Sequence, residues 1–355
     1  MKNVVLVHFS SKPGGIEVIL RSMVSAMKNI QFDVFVIRPP RHGDLDIYSG
    51  IDNISIHYGG ANYLAYFRLF FFALKHRTHI FHTFNIGPFF LFILRLANVK
   101  KLVYAIHGTK YWNTKIQKII QKTFWHLGMS KNYLVTANSK FSKKVFISTV
   151  LNLDDRIQLL YNPVDVNRFR PATNIENNKS ENLRIIYVGR LAKGKNLDLW
   201  VEIAHYLLQK NDKYTFEIYG TGPLHNYLDE KIKGLGCGDK INLKGFIPNP
   251  EEAYRSADLL LFLSEYESFG NVVVESVLCG TPVLCSDIPV MQEIFEEAPE
   301  FIVCLDNNIK KAVYSSIQKI EQLKAKTMCL APKFSQKYSQ QRHFDQLDRI
   351  YQSLL

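Results

Sequence analysis

Short runs of β-branched and aromatic residues alternate along this chain with longer segments in which apolar residues recur every three or four positions. The short runs predict strands, and the three-to-four spacing predicts helices. Strands that alternate with helices through short loops form parallel sheets, and such sheets need helices on both faces. The alternation therefore predicts an α/β fold built from doubly wound sheets.

The first half of the chain carries five predicted strands and four predicted helices. The strands are Val4–His8, Asp33–Ile37, His79–Thr83, Leu102–His107 and Tyr133–Ala137; the helices are Ile16–Lys28, Tyr63–His76, Tyr111–Leu127 and Lys140–Val150. The second half carries six predicted strands, interleaved with helices. They are Arg184–Val188, Thr215–Tyr219, Lys240–Leu243, Leu259–Leu263, Pro282–Cys285 and Phe301–Cys304.

The alternation stops once, at the polar, Asn-rich segment Pro171–Asn182, which has the composition of a linker. A chain of 355 residues also exceeds the size at which a single core usually keeps growing. We therefore predict two domains. The first covers residues 1–171, with a C-terminal helix of about residues 336–355 packing back on it, and the second covers residues 172–335.

Composition excludes several classes of protein. The five cysteines include no CxxC pair, which argues against a disulfide framework and against a zinc site. The first apolar run reaches Gly14 and Gly15 at once and predicts a strand, not a signal peptide. The runs Leu69–Leu74 and Pro88–Leu94 are far shorter than the ~20 residues of a transmembrane helix. The expectation is a cytoplasmic protein without a membrane span.

The net charge of +12 is concentrated in the first half of the chain. Residues 1–170 hold 23 Lys and Arg against 8 Asp and Glu, whereas residues 171–355 hold 21 against 24. A basic half predicts contact with an anionic partner, for which nucleic acid, a membrane surface and a phosphorylated acceptor are the alternatives.

Unusual residues follow the predicted strands, where ligands bind in open α/β sheets. Gly14 and Gly15 precede a helix and would let backbone amides approach an anion, although a plain turn is the alternative. His107 ends a strand and could hydrogen-bond a sugar hydroxyl or stabilise developing charge; a structural histidine is the alternative.

The loop after Val188 combines Gly189 and Arg190 with Lys195. An arginine and a lysine in one loop suit a diphosphate, since arginine forms forked hydrogen bonds and lysine supplies a point charge. The run GRLAKGKN nearly matches a P-loop, but Asn196 stands where the magnesium-binding hydroxyl is required, which argues against an NTPase.

The segment SEYESFGNVVVES holds two glutamates around the start of a predicted helix. Glu267 would lie in the loop before the helix, and Glu275 about one turn inside it. Amides at that helix start, near Gly270, can hold a phosphate or sugar oxygen, and the two carboxylates can accept hydrogen bonds from two sets of hydroxyls. A surface glutamate plus a helix-dipole glutamate is the alternative.

The order of these motifs closely resembles the retaining glycosyltransferases of family 4. The motifs are, in order, Gly-Gly, His, Gly-Arg-Leu with a following Lys, the Gly-x-Gly-Pro at Gly220–Pro223, and the two glutamates. The resemblance extends from Gly14 to Glu293. It implies the GT-B fold, an α/β architecture of two Rossmann-like, doubly wound domains facing a cleft.

The resemblance also implies roles. The residues implied to act on the reacting groups are Glu267, His107, Arg190 and Lys195; those implied to bind the donor are Gly14, Gly15, Gly189, Arg190, Lys195, Phe246, Ile247, Glu267, Phe269, Gly270, Asn271 and Glu275. Arg190 and Lys195 would hold the diphosphate and Glu275 the ribose hydroxyls. Glu267 and His107 would contact the donor sugar. Phe246 and Ile247 would lie against the base.

The implied activity is transfer of a hexose, with retention, from a nucleotide sugar to a lipid-linked or polysaccharide acceptor in surface glycan synthesis. UDP-sugars are favoured and GDP-sugars are the second choice. Two cationic side chains and a helix start can neutralise a leaving diphosphate, so we expect no metal and no cofactor. The triplet Asp44-Leu45-Asp46 has the DxD pattern that holds a cation in other glycosyltransferases, but we interpret it as charged residues of a solvent-exposed loop. The alternatives are a nucleotide-sugar 2-epimerase of similar architecture and a nucleic-acid-binding protein, although no nucleic-acid motif is present.

The resemblance implies that the basic N-terminal half binds the acceptor. In the predicted helix Tyr111–Leu127, Lys115, Lys118 and Lys122 share one face, and an apolar set lies on another: Trp112, Ile116, Ile119, Ile120 and Phe124. A basic amphipathic helix with a tryptophan can lie on an anionic membrane, at the inner face of the cytoplasmic membrane here. Simple packing of the apolar set on the sheet is the alternative.

Overall fold

The computed structural model describes residues 2–10, 14–40, 47–51, 54–60, 63–172 and 182–355. The chain divides into two compact units. Unit 1 comprises the residues up to Pro163 together with Gln341–Leu355, and unit 2 comprises Val164–Gln340.

Each unit contains one parallel sheet and the helices that cover it. The elements of unit 1 are β1 (Lys2–Ser10), α1 (Gly15–Ala26), β2 (Ile30–Arg38), β3 (Ser55–Tyr58), α2 (Leu64–Lys75), β4 (Ile80–Phe84), α3 (Pro88–Leu96), β5 (Leu102–Ile106), α4 (Lys115–Gly128), β6 (Leu134–Ala137), α5 (Lys140–Thr149) and β7 (Ile157–Leu159). The elements of unit 2 are β8 (Leu183–Val188), α6 (Leu197–Lys210), β9 (Tyr214–Tyr219), α7 (His225–Gly234), β10 (Ile241–Gly245), α8 (Pro250–Arg255), β11 (Leu259–Phe262), α9 (Asn271–Leu278), β12 (Val283–Ser286), α10 (Pro289–Ile294), β13 (Ile302–Val303), α11 (Ile309–Ile317) and α12 (Ile320–Tyr338). The last helix, α13 (Gln340–Gln352), returns to unit 1 from Gln341 onwards.

The sheet of unit 1 has the strand order β3-β2-β1-β4-β5-β6-β7. Helices cover both faces of this sheet. Successive side chains of a strand point to opposite faces, so one strand contributes to both cores. In β1, Val5 and Val7 join a core with residues of α2, α3 and α5, whereas Val4 and Leu6 join a core with residues of α1 and α13. The continuous apolar run of β1 is the pattern that a fully covered parallel strand requires.

The sheet of unit 2 has the strand order β10-β9-β8-β11-β12-β13. Strand β8 pairs in parallel with β9 on one side and with β11 on the other. The chain therefore reverses its winding direction between β8 and β11, and the loops after these two strands diverge there. In unit 1 the same reversal occurs between β1 and β4. Ligands of open α/β sheets bind at such switch points.

Three elements were not predicted from the sequence, and a fourth begins later than predicted. Helix α3 and strands β3 and β7 were not predicted; α3 reads PFFLFILRL, in which Arg95 is the only charged residue, so few polar positions mark a helical period. The helix predicted from Tyr111 begins instead at Lys115, because the Thr114 side chain accepts a hydrogen bond from the Gln117 amide (3.2 Å) and caps it. Trp112 consequently lies outside α4.

The C-terminal helix α13 packs on unit 1. Phe344, Leu347 and Tyr351 belong to the core that contains Val4, and Lys2 Nζ lies 2.6 Å from a carboxylate oxygen of Asp348. Among the described residues, no helix is both long and apolar enough to cross a membrane.

Unit 2 begins at Val164, eight residues before the predicted boundary. Backbone hydrogen bonds explain this position. The Val164 amide donates to the Tyr338 carbonyl (2.8 Å), and the Gln340 amide donates back to the Val164 carbonyl (3.1 Å). Arg255 then donates to the carbonyls of Arg168 and Arg170. Of the predicted linker, only residues 171, 172 and 182 lie within the described chain.

Candidate functional site

The residues predicted for the site fall into two groups, one in each unit. His107, Gly14 and Gly15 belong to unit 1; the group in unit 2 is Gly189, Arg190, Lys195, Phe246, Ile247, Glu267, Phe269, Gly270, Asn271 and Glu275. The Asp44–Asp46 triplet lies outside the described residues.

The switch point of unit 2 brings Lys195 and Glu267 together. Lys195 follows β8 and Glu267 follows β11, which are neighbouring strands. The Lys195 ammonium forms an ion pair with the Glu267 carboxylate, and both side chains are largely buried. The Glu265 amide also donates to the Gly194 carbonyl (2.9 Å), so the backbones of the two loops are joined. A cation and a carboxylate 72 positions apart in sequence thus form one charged pair beyond the carboxyl ends of two central strands.

Gly194, the second glycine of the P-loop-like run, has a packing role. Its φ is +87°, and a Cβ atom there would lie 2.7 Å from Cε1 of Tyr266. Only glycine accommodates both the backbone conformation and the ring. The Lys195 ammonium lies 5.6 Å from the ring centroid of Phe262, within the range of a cation–π contact.

The glycines at the ends of β8 and β9 allow these two loops to touch. The Gly189 amide donates to the Tyr219 carbonyl (2.9 Å), and the Leu191 amide donates to the Thr221 carbonyl (2.9 Å). Gly220 has a φ of +140°, and a Cβ atom there would overlap the carbonyl oxygen of Gly189. The Gly-x-Gly-Pro turn therefore supports the loop that carries Arg190, whose side chain is exposed.

Glu275 lies within α9 in surroundings that raise its pKa to about 7, chiefly because burial disfavours the carboxylate. The buried Tyr254 hydroxyl donates to the Glu275 carboxyl (3.0 Å), and the Arg168 guanidinium also favours the charged form, so both oppose that rise. Glu275 is therefore close to half-protonated at neutral pH. The sequence offered no signal for Tyr254, which lies 21 positions away.

Helix α9 begins at Asn271, as predicted. Its N-cap Gly270 has a φ of +98°, and a Cβ atom there would lie 2.7 Å from the Met291 methyl group. Phe269 is buried against the ring of Tyr338, so only its backbone remains available to a ligand. In the loop after β10, Phe246 is exposed and Ile247 is partly buried.

Ser264, which follows β11, is a residue that sequence reasoning missed. Its hydroxyl is fully buried and has no hydrogen-bond partner within the described parts of the chain. A buried polar group without a partner is uncommon and costs stability. Serine is common in loops, so its type and position in the sequence gave no indication.

His107 of unit 1 follows β5, as predicted. Burial lowers its pKa to about 3, and His343 of α13 acts in the same direction. The imidazole is therefore neutral at physiological pH and can donate one hydrogen bond and accept another. This favours a hydrogen bond to a sugar hydroxyl over stabilisation of charge by an imidazolium. The next residue, Gly108, would bring a Cβ atom to 3.2 Å from the Asn85 side chain.

Gly14 and Gly15 lie at the N-terminus of α1, where the prediction placed them. Gly14 is the N-cap, and its carbonyl accepts from the Val18 amide (3.0 Å). Its φ of −164° is extended, a conformation that any residue adopts. Without a side chain it leaves the first amides of the helix unobstructed.

Two family models match the chain. Residues 13–168 match the model described as Glycosyltransferase Family 4, and residues 169–330 match the model described as Glycosyl transferases group 1. The two matches meet at 168/169 and together extend from residue 13 to residue 330.

Relatives from bacteria are similar over part of their length. One is the N-acetylgalactosamine-N,N'-diacetylbacillosaminyl-diphospho-undecaprenol 4-alpha-N-acetylgalactosaminyltransferase of Campylobacter jejuni, 28% identical over 63% of this chain and 64% of the relative. Another is an uncharacterised 41.2 kDa protein in the cps region of Klebsiella pneumoniae, 26% identical over 61% of this chain and 64% of the relative. The chain thus matches a little under two thirds of each relative's length.

Among solved structures, HepE of Anabaena in complex with UDP and glucose is similar over 99% of this chain and 100% of its own, with a TM-score of 0.81 and 18% identity. That similarity confirms the predicted α/β class with two parallel, Rossmann-like domains of GT-B type. The two family matches, which together cover residues 13–330, show that the chain belongs to the group 1, family 4 glycosyltransferases.

Proposed function

We propose that this protein transfers a hexose, with retention of configuration, from a UDP-sugar to a lipid-linked or polysaccharide acceptor in surface glycan synthesis. The observation that carries the proposal is the Lys195–Glu267 ion pair at the switch point of unit 2, with the carboxyl of Glu275 farther along the same segment. The named activity of the Campylobacter relative supports the acceptor class, and the UDP and glucose in the HepE complex support the donor class.

The chemistry assigned to unit 2 is departure of the nucleotide. The bond between the anomeric carbon and the diphosphate oxygen breaks, the acceptor oxygen forms the new bond to that carbon, and the proton of the acceptor hydroxyl passes to the departing diphosphate. Charge accumulates on the departing diphosphate, so Arg190 and Lys195 would act by stabilising that charge. Because two cations can serve this purpose, we propose that the reaction needs no metal.

The remaining residues are assigned to positioning. Glu275 would accept hydrogen bonds from the ribose hydroxyls, which requires its carboxylate form. Glu267 would contact the donor sugar near the amides of Phe269, Gly270 and Asn271. Phe246 and Ile247 would lie against the base. In unit 1, the neutral imidazole of His107 would hydrogen-bond a sugar hydroxyl, and Gly14 and Gly15 would face the phosphates or the acceptor.

Donor turnover tests the proposal. The native protein is incubated with UDP- and GDP-hexoses in excess EDTA, with and without a membrane-lipid extract as acceptor, and both free nucleotide and the recovered sugar nucleotide are measured. We expect release of UDP from one donor at a rate that EDTA does not change. An epimerised donor without nucleotide release would instead identify an epimerase. Release that EDTA abolishes would contradict the proposed metal independence.

The pKa of Glu275 predicts how donor binding depends on pH. Its folded pKa of about 7 lies above the usual value, so the carboxylate that would bind the ribose is the minor form below pH 7. The affinity for an intact UDP-hexose is expected to rise roughly tenfold from pH 6 to pH 8, and to level off above the pKa. Isothermal titration calorimetry across this range measures it.

Glu275→Gln provides the control. Glutamine keeps the size and an acceptor oxygen but does not titrate, so this variant should bind weakly and with an affinity that does not change with pH. An unchanged pH profile in Glu275→Gln would exclude Glu275 as the titrating group.

A further inference from the structure

We propose that the outer face of α2, α3 and α4 in unit 1 binds the surface of an anionic lipid bilayer. This surface, called here the outer helical face, consists of the exposed side chains of those three helices. The inference concerns unit 1 and does not depend on the donor chemistry. Only its consequence, that a lipid-linked acceptor would be met at the membrane, rests on the proposed function.

Charge supplies the first argument. Between Asp52 and Asp154 the chain has no aspartate or glutamate at all, while residues 53–153 contain 14 lysines and arginines. All three helices of the outer helical face lie within this segment. No carboxylate of the segment can therefore repel anionic headgroups or neutralise the cations, and basic clusters of this kind are attracted to anionic leaflets.

The isoleucines of α4 point outwards. Ile116 is 72% exposed, Ile119 69% and Ile120 46%. An amphipathic helix of a globular protein normally turns such a stripe towards the core. The opposite side of α4 is the one that packs inwards, because Trp125 is buried against Tyr104 (ring centroids 5.0 Å apart). The structure thus decides against the alternative in which these isoleucines pack on the sheet.

Lysines border this apolar stripe. Lys115 and Lys118 are exposed on α4 and Lys122 is partly buried. The ammonium groups of Lys118 and Lys122 lie 5.9 and 6.0 Å from the ring centroid of Trp112. Apolar side chains flanked by long cationic ones suit the interface of a bilayer, where the methyl groups enter the acyl boundary and the ammonium groups stay among the headgroups.

The stripe continues onto the two neighbouring helices. The Phe89 ring of α3 lies 3.9 Å from the Phe124 ring of α4, centroid to centroid, and the Phe90 ring of α3 stacks on Tyr66 of α2 at 4.6 Å. Helix α2 then exposes Phe67 and Phe71, at 64% and 66%, one turn apart. Exposed apolar side chains therefore extend over three packed helices, which is more than the scattered apolar residues of an ordinary surface.

The same charges argue against the other possible occupants. Two copies of the chain meeting through this face around a two-fold axis would place cation against cation. Nucleic acid would satisfy the lysines but not the exposed isoleucines and phenylalanines. An anionic bilayer satisfies both, because it offers negative headgroups above an apolar layer.

Vesicle co-sedimentation tests the inference with the full chain. The vesicles are pure phosphatidylcholine, or phosphatidylcholine with phosphatidylglycerol, each at low and high salt. We expect binding to the anionic vesicles that weakens at high salt, and at least about tenfold weaker binding to the neutral ones. Equal binding to both compositions, or no binding to either, would overturn the proposal.

Two variants separate the apolar from the charged contribution. Ile116→Asn with Ile119→Asn, and Lys115→Gln with Lys118→Gln, should each weaken anionic-vesicle binding about tenfold or more. The matched control is Leu305→Asn with Met328→Asn, which changes two exposed apolar residues of unit 2 and should leave binding unchanged. All four positions on α4 are exposed, so the thermal transition should not move.

Two further measurements distinguish the causes of failure. Nucleotide release in vesicle-free buffer should be native in both α4 variants, because none of the four residues belongs to the proposed site. A native protein that self-associates by analytical ultracentrifugation without binding vesicles, and that becomes monomeric in Ile116→Asn with Ile119→Asn, would overturn the proposal in favour of a second copy of the chain.

Discussion

Lys195→Ala is expected to lower kcat/KM for nucleotide release by about 100- to 1,000-fold, the usual effect of removing one preorganised group that stabilises a transition state. The expected loss lies mainly in kcat, because the charge that the ammonium would meet grows as the diphosphate departs. The substitution also removes the partner of the largely buried Glu267 carboxylate. The measurement is steady-state UDP release from the donor that the native protein uses.

Lys193→Ala is the matched control, since Lys193 is an exposed lysine two positions away in the same loop. It should retain close to native kcat/KM. Glu267→Gln breaks the ion pair but preserves the size of the side chain, so a large loss there together with a native thermal transition would separate a role at the donor from a role in stability. Native turnover by Lys195→Ala would refute the assignment of the diphosphate site to this loop.

Gly220→Ala is expected to lower the free energy of unfolding of unit 2 by about 3 kcal/mol or more. A Cβ atom there would overlap the Gly189 carbonyl oxygen and lie 2.9 Å from its carbonyl carbon, and the φ of +140° disfavours any L side chain. Because both atoms belong to backbone, no rotamer change relieves the overlap. Thermal or urea unfolding, followed by tryptophan fluorescence and by donor binding, measures the loss.

Gly234→Ala is the control for this change. Gly234 ends α7, a Cβ atom there would meet nothing within 4 Å, and its φ is not positive. Alanine should therefore be neutral or stabilise the helix by up to about 1 kcal/mol. If Gly220→Ala unfolded at the same temperature and denaturant concentration as Gly234→Ala, the close approach of the two loops would not exist in solution.

Much of the site could be predicted because the relevant signals are local. The predicted strands Val4–His8 and Leu259–Leu263 correspond to β1 and β11, since buried parallel strands leave uninterrupted apolar runs. Ligands of parallel sheets bind beyond the carboxyl ends of the strands, and this rule predicted that His107, Lys195 and Glu267 belong to the site. The start of α9 at Asn271 followed from the glycine before it.

Other elements had no local signal. The run PFFLFILRL of α3 is apolar except for Arg95, so too few polar positions mark a helical period by which to recognise a helix. The boundary at Val164 depends on hydrogen bonds to Tyr338 and Gln340, more than 170 positions later in the chain. The hydrogen bond from Tyr254 to Glu275 likewise depends on how α8 packs against α9, and the residue types alone do not reveal that packing.

The sequence by itself determined the class of fold, the order of the strand-following loops and the identity of the charged residues in them, because hydrophobic period and glycine placement are local properties. Only the tertiary structure decided which of those residues meet. It paired Lys195 with Glu267 because β8 and β11 are neighbours in the sheet, and it turned Ile116 and Ile119 outwards because Trp125 occupies the inner side of α4. Strand order and helix rotation are set by the packing of the whole unit, in which segments distant in sequence compete for the same core.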